Sequence, residues 1–516
     1  MVQSNGGGCG IIDFDHDSWP DILMTQGGEW PVNSEATKPP VSDQLFRNLR
    51  GQRLTSVTPL AGAGDTDFSQ GIAIGDIDAD GFPDVFIANV GQNRLLRNNG
   101  DGTFSDATSG ADIRGKEWST SCVFADLNAD GLDDLYVVNY LSLEDAAADI
   151  CHENGKLKRC ASGDFAAADD QLLLNSGDGT FQDVSQTSGI IHSDGRGLGL
   201  VAADFDGNGS IDLFVANDAV PNFMLLNQGT SDGTETPQFI EHAFAAGVAV
   251  SEFGAPQACM GVAVSDFDHN RIPDVFVTNF LHETNTMYLG MAPGLFVDRT
   301  NSLQLTQPSL SMLGFGTQPI DLDLDGFDDL AVANGHIDDM SADGVAYRMP
   351  MQFFRNRQGN SFLPVELTGE FLTSGHVGRS LATMDWNRDG KQDLVVGLLD
   401  EASCLLENAT RTDCHWLQIQ LVGEQAARPA SGATVTVTGI GDNADQFLRM
   451  KIVGGGGFQA ANESLLSFGL GTDRGPFVVS VAWPDGSRQK ISEVPAGSAV
   501  ALSQHGGRLR FWRIPE

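Results

Sequence analysis

Seven segments of the chain repeat one spacing of oxygen-bearing side chains, at positions 1, 3, 5 and 9 of a short loop. They are Asp13, Asp15, Asp17 and Asp21; Asp76, Asp78, Asp80 and Asp84; Asp126, Asn128, Asp130 and Asp134; Asp204, Asp206, Asn208 and Asp212; Asp266, Asp268, Asn270 and Asp274; Asp321, Asp323, Asp325 and Asp329; and Asp385, Asn387, Asp389 and Asp393. Five of the loops carry Gly at position 6, as at Gly81 and Gly326, which permits a sharp turn. A loop that curls this way aims its oxygens at one point. Hard oxygen ligands in that number suit Ca²⁺, which takes roughly 6–8 of them at flexible geometry. The competing reading is a set of Asx turns that merely connect elements. Three or four convergent carboxylates without a cation would repel strongly, which disfavours that reading for the Gly loops. Loops 1 and 5 have Ser18 and Arg271 at position 6, and Arg271 could itself neutralise the carboxylates. For those two, a metal-free turn and a metal site are equal readings. The expectation is five to seven structural calcium sites.

The flanks of each loop say what must hold it. An apolar run leads in, as in Gly71–Gly75, and a second follows the last Asp, as in Val85–Ala88. Then come Arg94–Asn98, a turn at Asn99-Gly-Asp-Gly102, and Thr103-Phe104. The runs are short, rich in β-branched and aromatic residues, and bounded by Gly, Asn and Asp, which predicts strands. Four strands per unit, seven times over, predict an all-β fold with a seven-bladed β-propeller. The chain starts at an inner strand, so the first and last blades meet without a shared strand unless Trp416–Val422 completes the seventh.

These repeats resemble the FG-GAP/VCBS repeats of integrin α-subunits and of many secreted bacterial proteins, through phrases such as Asn99-Gly-Asp-Gly-Thr-Phe104 and Asn175-Ser-Gly-Asp-Gly-Thr-Phe181. The resemblance spans residues 8–412 and implies the propeller and its calcium, but almost nothing about activity. The remainder is similar to the ASPIC/UnbV domain found beside such repeats in the cartilage acidic protein-like family. The matching residues are His415-Trp-Leu417, Gly432-Ala-Thr-Val435, Phe468-Gly-Leu-Gly471 and Trp483-Pro-Asp-Gly486. That family implies a secreted binding or adhesion protein. The expected division is a propeller over 1–412 and a small β-sandwich-like domain over 413–516, with Trp483 read as core rather than as a sugar platform.

Composition narrows the partners. The 30 Lys and Arg face 69 Asp and Glu, a net charge of −39, which disfavours nucleic acid and anionic membranes. No apolar run approaches the ~20 residues that span a bilayer. The residues after Met1 do not read as a signal peptide, so secretion implies a leader already removed or a longer precursor. Among seven cysteines, Cys151 with Cys160 and Cys404 with Cys414 are expected as local disulfides of an oxidising compartment. Cys9 and Cys122 are expected as buried thiols, and Cys259 is unassigned. The localisation expected is secreted, periplasmic or cell-surface.

If the Asp loops occupy one face of the ring, recognition falls to the other. Strand two ends in Asn89, Asn139, Asn217, Asn279 and Asn334, followed by polar and varied residues. Tyr140, Asp218, His282, Glu283, Asn334, His336 and Arg379 are the candidate ligand residues there. For the Asn residues taken singly, capping of strand ends is the stronger reading. Two functions follow. One is an extracellular module that binds a glycan or protein. The other is an enzyme acting on polyanionic polysaccharide, lyase-like, with His282, His336 and Tyr140 as acid/base groups and Arg379 pairing a uronate carboxylate. No nucleophile elbow, P-loop, zincin helix or Rossmann turn is present.

Overall fold

Short β-rich runs punctuated by Gly, Asn and Asp fold as strands and turns throughout. The computed structural model describes residues 2–27, 41–113, 115–143, 151–153, 156–158, 160–192, 194–230, 235–424, 426–440, 448–452, 454–505 and 510–512. Among these residues, seven antiparallel sheets stand around one axis. The second blade is typical, with strands Phe68–Gly75, Asp84–Val90, Arg94–Asn98 and Phe104–Asp106 from the centre outward. Each inner strand packs against the next, and Gly378–Met384 of the seventh blade packs against Cys9–Ile12 of the first. The cores lie between blades, as in the cluster of Ile12, Phe14, Leu23, Ile72, Val85 and Phe104.

The Asn that ends strand three explains how the ring holds. Its side-chain amide donates to the carbonyl at position 2 of the Asp loop one blade back: Asn98 to Phe14 at 2.9 Å, Asn175 to Ile77 at 2.8 Å, Asn227 to Leu127 at 2.8 Å and Asn356 to Phe267 at 2.9 Å. Asn408 reaches Leu322 at 3.1 Å, and Asn48 reaches Trp386 at 2.8 Å, which joins the first blade to the seventh. Among the described residues, no strand of one of these two blades belongs to the sheet of the other. Asn48→Ala removes the two amide bonds of Asn48, to Trp386 and to Pro20, and leaves both carbonyls unpaired. It is expected to destabilise by about 2–3 kcal/mol in a urea melt.

Trp416–Val422 does not complete the seventh blade. That blade stops at three strands, Gly378–Met384, Asp393–Leu398 and Cys404–Leu406. His415–Val422 instead runs parallel to Ser498–Ser503 in the C-terminal domain. Two four-stranded sheets face each other there over Leu417, Val435, Phe468, Val479 and Val500. Trp483 is buried in that core. The diversion also corrects one cysteine expectation. Cys151–Cys160 is a disulfide, whereas Cys404 and Cys414 are free thiols, because Cys414 leads into the C-terminal sheet rather than closing a hairpin on Cys404. Cys9, Cys122 and Cys259 are buried thiols.

The C-terminal domain docks on the Asp-loop face and sends residues 454–463 into the central channel. Inner strands of a propeller are sheet edges with unpaired backbone, and this segment pairs with them. Ala460–Ala461 adds a parallel strand to Cys9–Gly10. Leu200 donates its N–H to Gly457 O at 3.0 Å, and Cys9 donates to Gln459 O at 3.1 Å. Gln318 donates its amide to Gly456 O at 2.8 Å. Phe458 ends the plug, fully buried and 5.3 Å from the Phe315 ring. Four consecutive glycines lead in because there is no room for side chains. A Cβ on Gly457 would lie 2.3 Å from Val262 O.

Candidate metal loops and the opposite face

Every Asp loop joins strand one to strand two, and its own carboxylates build its shape. The position 1 Asp caps loop N–H groups: Asp126 accepts from Asp130 and Gly131, and Asp321 from Asp325 and Gly326, all at 2.8–3.1 Å. The position 9 Asp accepts from the loop at position 2 and from strand three, as Asp84 does from Ile77 at 2.9 Å and Asn98 at 2.7 Å. Positions 4 and 6 take left-handed φ in all seven loops. At position 6, Ser18 and Arg271 have φ of 70° and 73°, beside 89–94° for the five glycines. The two loops without Gly therefore adopt the same turn, with backbone strain that Gly would relieve.

In five loops three carboxylates present oxygens within 4.8 Å of one another: Asp13, Asp15 and Asp17; Asp76, Asp78 and Asp84; Asp204, Asp206 and Asp212; Asp266, Asp268 and Asp274; Asp321, Asp323 and Asp325. Loops 1 and 5 are thus among the convergent ones. Arg271 makes no ion pair with its loop carboxylates among the described residues. Loops 3 and 7, which have Asn128 and Asn387 at position 3, form no such carboxylate group among the described residues. In loop 7, Gln418 of the C-terminal domain donates to Asp385 Oδ2 at 2.8 Å, and Lys391 pairs with Asp389 at 3.0 Å.

Several of these acids are held without enough partners. Asp15 Oδ1, Asp21 Oδ2, Asp76 Oδ1, Asp78 Oδ1 and Asp266 Oδ1 are buried and accept no hydrogen bond. Burial pushes Asp13 and Asp266 up to about 7, Asp76 to about 6 and Asp321 to about 8. Buried carboxylate oxygens that lack a donor and face other carboxylates fit a hard dication. Arginines from strand three supply part of the countercharge: Arg47 to Asp15 at 2.6 Å, Arg97 to Asp78 at 2.7 Å, and Arg355 to Asp323. Asp133 and Asp328, at position 8 of loops 3 and 6, serve the seams instead. Asp133 accepts the Asp76 N–H at 3.0 Å, and Asp328 holds Ser265 and Lys451.

On the opposite face the candidates separate. Tyr140 is buried edge-on to Trp118, ring centroids 5.0 Å apart, and donates its hydroxyl to Asp218 Oδ2 at 2.5 Å. Burial, and then the Asp218 charge, push the Tyr140 hydroxyl well up, so it stays protonated. Ala258 sits opposite Asp218 in an isolated bridge and donates its N–H to Glu283 Oε2 at 2.8 Å. Tyr140, Asp218 and Glu283 therefore share one corner over blades 3 to 5. His282 is exposed nearby, with φ 70°. His336 turns inward, 2% exposed, with its Nδ1 accepting the Asp338 N–H at 3.1 Å. Asn334 is buried and donates to Pro350 O at 2.9 Å, as Asn139 does to Asp169 O and Asn217 to Pro221 O. The strand-end Asn residues are backbone caps.

Arg379 is fully buried. Its guanidinium donates to the carbonyls of Ser4, Gly335, Gly378 and His336 and lies 4.0 Å over the Phe315 ring. It has no path to a uronate carboxylate. Of the four groups named for the lyase reading, His336 and Arg379 are sequestered, Tyr140 is buried and protonated, and His282 is exposed.

The cap that precedes strand three gives a pH prediction. In blades 2, 4 and 5 it is Asn93, Asn222 and Asn285, each accepting the N–H of the strand-two Asn. In blade 3 it is Asp170, which accepts from Asn139 N–H and Tyr136 Oη, both at 2.8 Å, and which burial raises to about 7. A carboxyl raised in the folded state stabilises fully below its unfolded pKa of 3.8, and that contribution is lost as pH rises through about 7. Asp170→Asn is therefore expected to gain stability relative to the parent steadily from about pH 4 to about pH 8. Melting temperatures across that range check it.

The FG-GAP-like repeat matches residues 13–87, 76–137, 160–215, 204–277 and 321–396. This chain belongs to the FG-GAP-like repeat family. The ASPIC and UnbV domain follows at residues 423–509. Cartilage acidic protein 1 of Xenopus tropicalis is 26% identical over 204 residues, which is 38% of this chain and 28% of that protein. The Homo sapiens protein of the same name is 26% identical over 203 residues, again 38% and 28%. This chain thus aligns with less than a third of the length of those relatives. Among solved structures, an Agrocybe aegerita lectin that recognises non-reducing terminal N-acetylglucosamine has a TM-score of 0.41 at 14% identity, covering 79% of this chain and 91% of its own. The V. cholerae biofilm matrix protein Bap1 has a TM-score of 0.34 at 13% identity, covering 82% and 59%. Both likenesses are too distant to carry an inference about binding.

Sequence reasoning missed the plug and the Lys451 of its domain that pairs with Asp328. The run Gly454-Gly-Gly-Gly457 was the available signal, since four glycines in a row mark backbone that must pass close to other backbone.

Proposed function

We propose that this protein is an extracellular binding module, a propeller rigidified by Ca²⁺ in its Asp loops. It works outside the cytoplasm, secreted, periplasmic or on the cell surface, and it presents the face opposite those loops to a glycan or protein. The observation that carries the reading is the division of labour between faces. One carries the convergent carboxylates and the docked C-terminal domain, and the other leaves the Tyr140, Asp218 and Glu283 corner clear of both. The Cys151–Cys160 disulfide and the kinship with cartilage acidic proteins support the compartment. Two carboxylates beside the Trp118–Tyr140 pair suit sugar hydroxyls or a basic side chain better than a polyanion. Calcium held by the convergent carboxylates of an Asp loop would cross-link the turn that joins strands one and two.

The test is a panel of neutral and polyanionic glycans and matrix proteins, read for retention on immobilised protein in calcium. Asp218→Asn with Glu283→Gln should weaken retention roughly tenfold, and His282→Ala should also weaken it. His282→Ala should not move the melting curve, and any shift in the double variant, whose carboxylates hold Tyr140 and Ala258, should be the same in calcium and in chelator. Turnover of a polyanionic glycan, seen as unsaturated-product absorbance, would overturn the reading in favour of an enzyme.

A further inference from the structure

The outer strands obey one rule with one exception. A fourth-strand Phe in five blades packs on the residue at position 2 of the preceding Asp loop. Phe104 lies 6.2 Å from Phe14, Phe296 6.1 Å from Phe205 and Phe362 5.8 Å from Phe267, measured between ring centroids. Phe181 shares a core with Ile77, and Phe239 with Leu127. In the first blade Leu54 joins the same core as Trp386. The five position 2 residues under a Phe are 1–4% exposed. Leu322, at position 2 of loop 6, has no such cover and is only half-buried, as is Leu406 beside it.

The seventh blade lacks the strand that would supply the cover. In the second blade, Ala107 donates its N–H to Leu95 O and Asn99 donates to Thr103 O, which pairs strand three with strand four. The counterparts Leu405, Glu407 and Ala409 have no backbone partner on that side among the described residues. Residues 409–411 and 413, which follow the edge, are exposed. On the blade 1 side of the same edge a cleft of about 870 Å³ opens, with Phe46, Leu54 and Leu405 in its walls. An unpaired strand edge flanked by half-buried leucines is built to accept an extended chain.

We infer that the seventh blade takes its fourth strand from a partner protein, as an extended segment that pairs with Leu405–Ala409 and seats a phenylalanine over Leu322. The chain itself states what fits. It fills the equivalent position five times with Phe104, Phe181, Phe239, Phe296 and Phe362, led in by Thr at two of them. The ligand class is therefore a β-strand donor with one large aromatic, flanked by polar residues on both sides as at Phe104 and Phe181 or by an aliphatic residue as at Phe239, Phe296 and Phe362.

The probe is a labelled peptide with the protein's own sequence 102–108, Gly-Thr-Phe-Ser-Asp-Ala-Thr, titrated by fluorescence anisotropy with the whole protein in calcium. Saturable binding is expected, and the same peptide with Ser in place of Phe should bind roughly tenfold more weakly. Glu407→Pro removes an exposed, unpaired N–H from the edge together with the Trp386 Nε1 bond to the Glu407 carboxylate, 3.2 Å, and it should abolish binding, whereas Glu407→Ala, which loses only the side-chain bond, should retain it. Leu322→Ser should weaken binding roughly tenfold through the slot instead of the backbone. Absence of saturable binding, or binding indifferent to the Phe and to Glu407→Pro, overturns the inference. Self-association that the peptide competes away would assign the edge to a second copy and also overturn the partner assignment.

Discussion

Chelation of calcium is expected to lower the melting temperature by roughly 10–20 °C. A ligand bound only by the folded state stabilises by mass action, about 2.7 kcal/mol per site at a free concentration one hundred times Kd. Five independent loops would then supply about 13 kcal/mol, as much as the whole net stability of many domains, about 5–15 kcal/mol. The physical cause is local. Asp76 Oδ1, Asp78 Oδ1 and Asp266 Oδ1 are buried acceptors without donors, and each such oxygen costs free energy until a cation meets it. That ratio is reached at millimolar free calcium by sites with a Kd of about 10 μM. Loop 5 should contribute like loop 2, because its carboxylates converge although Arg271 stands where Gly is usual. Asp268→Ala and Asp78→Ala should therefore cost similar amounts in calcium and little in chelator. Melting curves of the two variants in both conditions check it, and a curve unmoved by chelator would mean that the loops are plain turns.

The second large effect lies in the channel. Gly457 has φ +86°, and its Cβ would sit 2.3 Å from Val262 O; Gly486 has φ +79°, with nothing within 4 Å. Both pay the same conformational penalty on substitution by Ala, about 1 kcal/mol. Only Gly457→Ala also meets backbone that cannot give way, which adds about 1–3 kcal/mol of overpacking and frees the segment from its bonds to Leu200 and Cys9. Gly457→Ala should therefore expose the C-terminal domain to limited proteolysis and split the melt into two transitions. Gly486→Ala should melt as one unit, slightly earlier. A single cooperative transition in Gly457→Ala would mean that the plug contributes nothing to docking.

Much of this was legible because the repeat spells out its own geometry. Asp at positions 1 and 9 recurs because each carboxylate terminates specific N–H groups, and the closing Asn recurs because it bridges blades. The strand-two Asn residues, Asn334 among them, were equally legible as caps. What the sequence hides is long-range. Nothing near Arg379 announces that its guanidinium will be spent on the carbonyls of Ser4 and Gly335. Cys404 and Cys414 sit at hairpin spacing, yet the chain between them leaves the blade for another sheet. Loops 3 and 7 look like the others until Asn at position 3 removes a carboxylate from the group. The plug is the extreme case, since Ala460–Ala461 pairs with Cys9–Gly10, more than four hundred positions earlier.

The central claim is that the Asp loops hold calcium, and the direct measurement is the number of ions bound per chain. Equilibrium dialysis followed by elemental analysis is predicted to give at least five Ca²⁺ at millimolar free calcium, one for each convergent loop. The double variant Asp266→Asn with Asp268→Asn is predicted to lower the count by one and leave the other sites filled. Fewer than two ions in the parent protein, or a count that the double variant does not change, would contradict it.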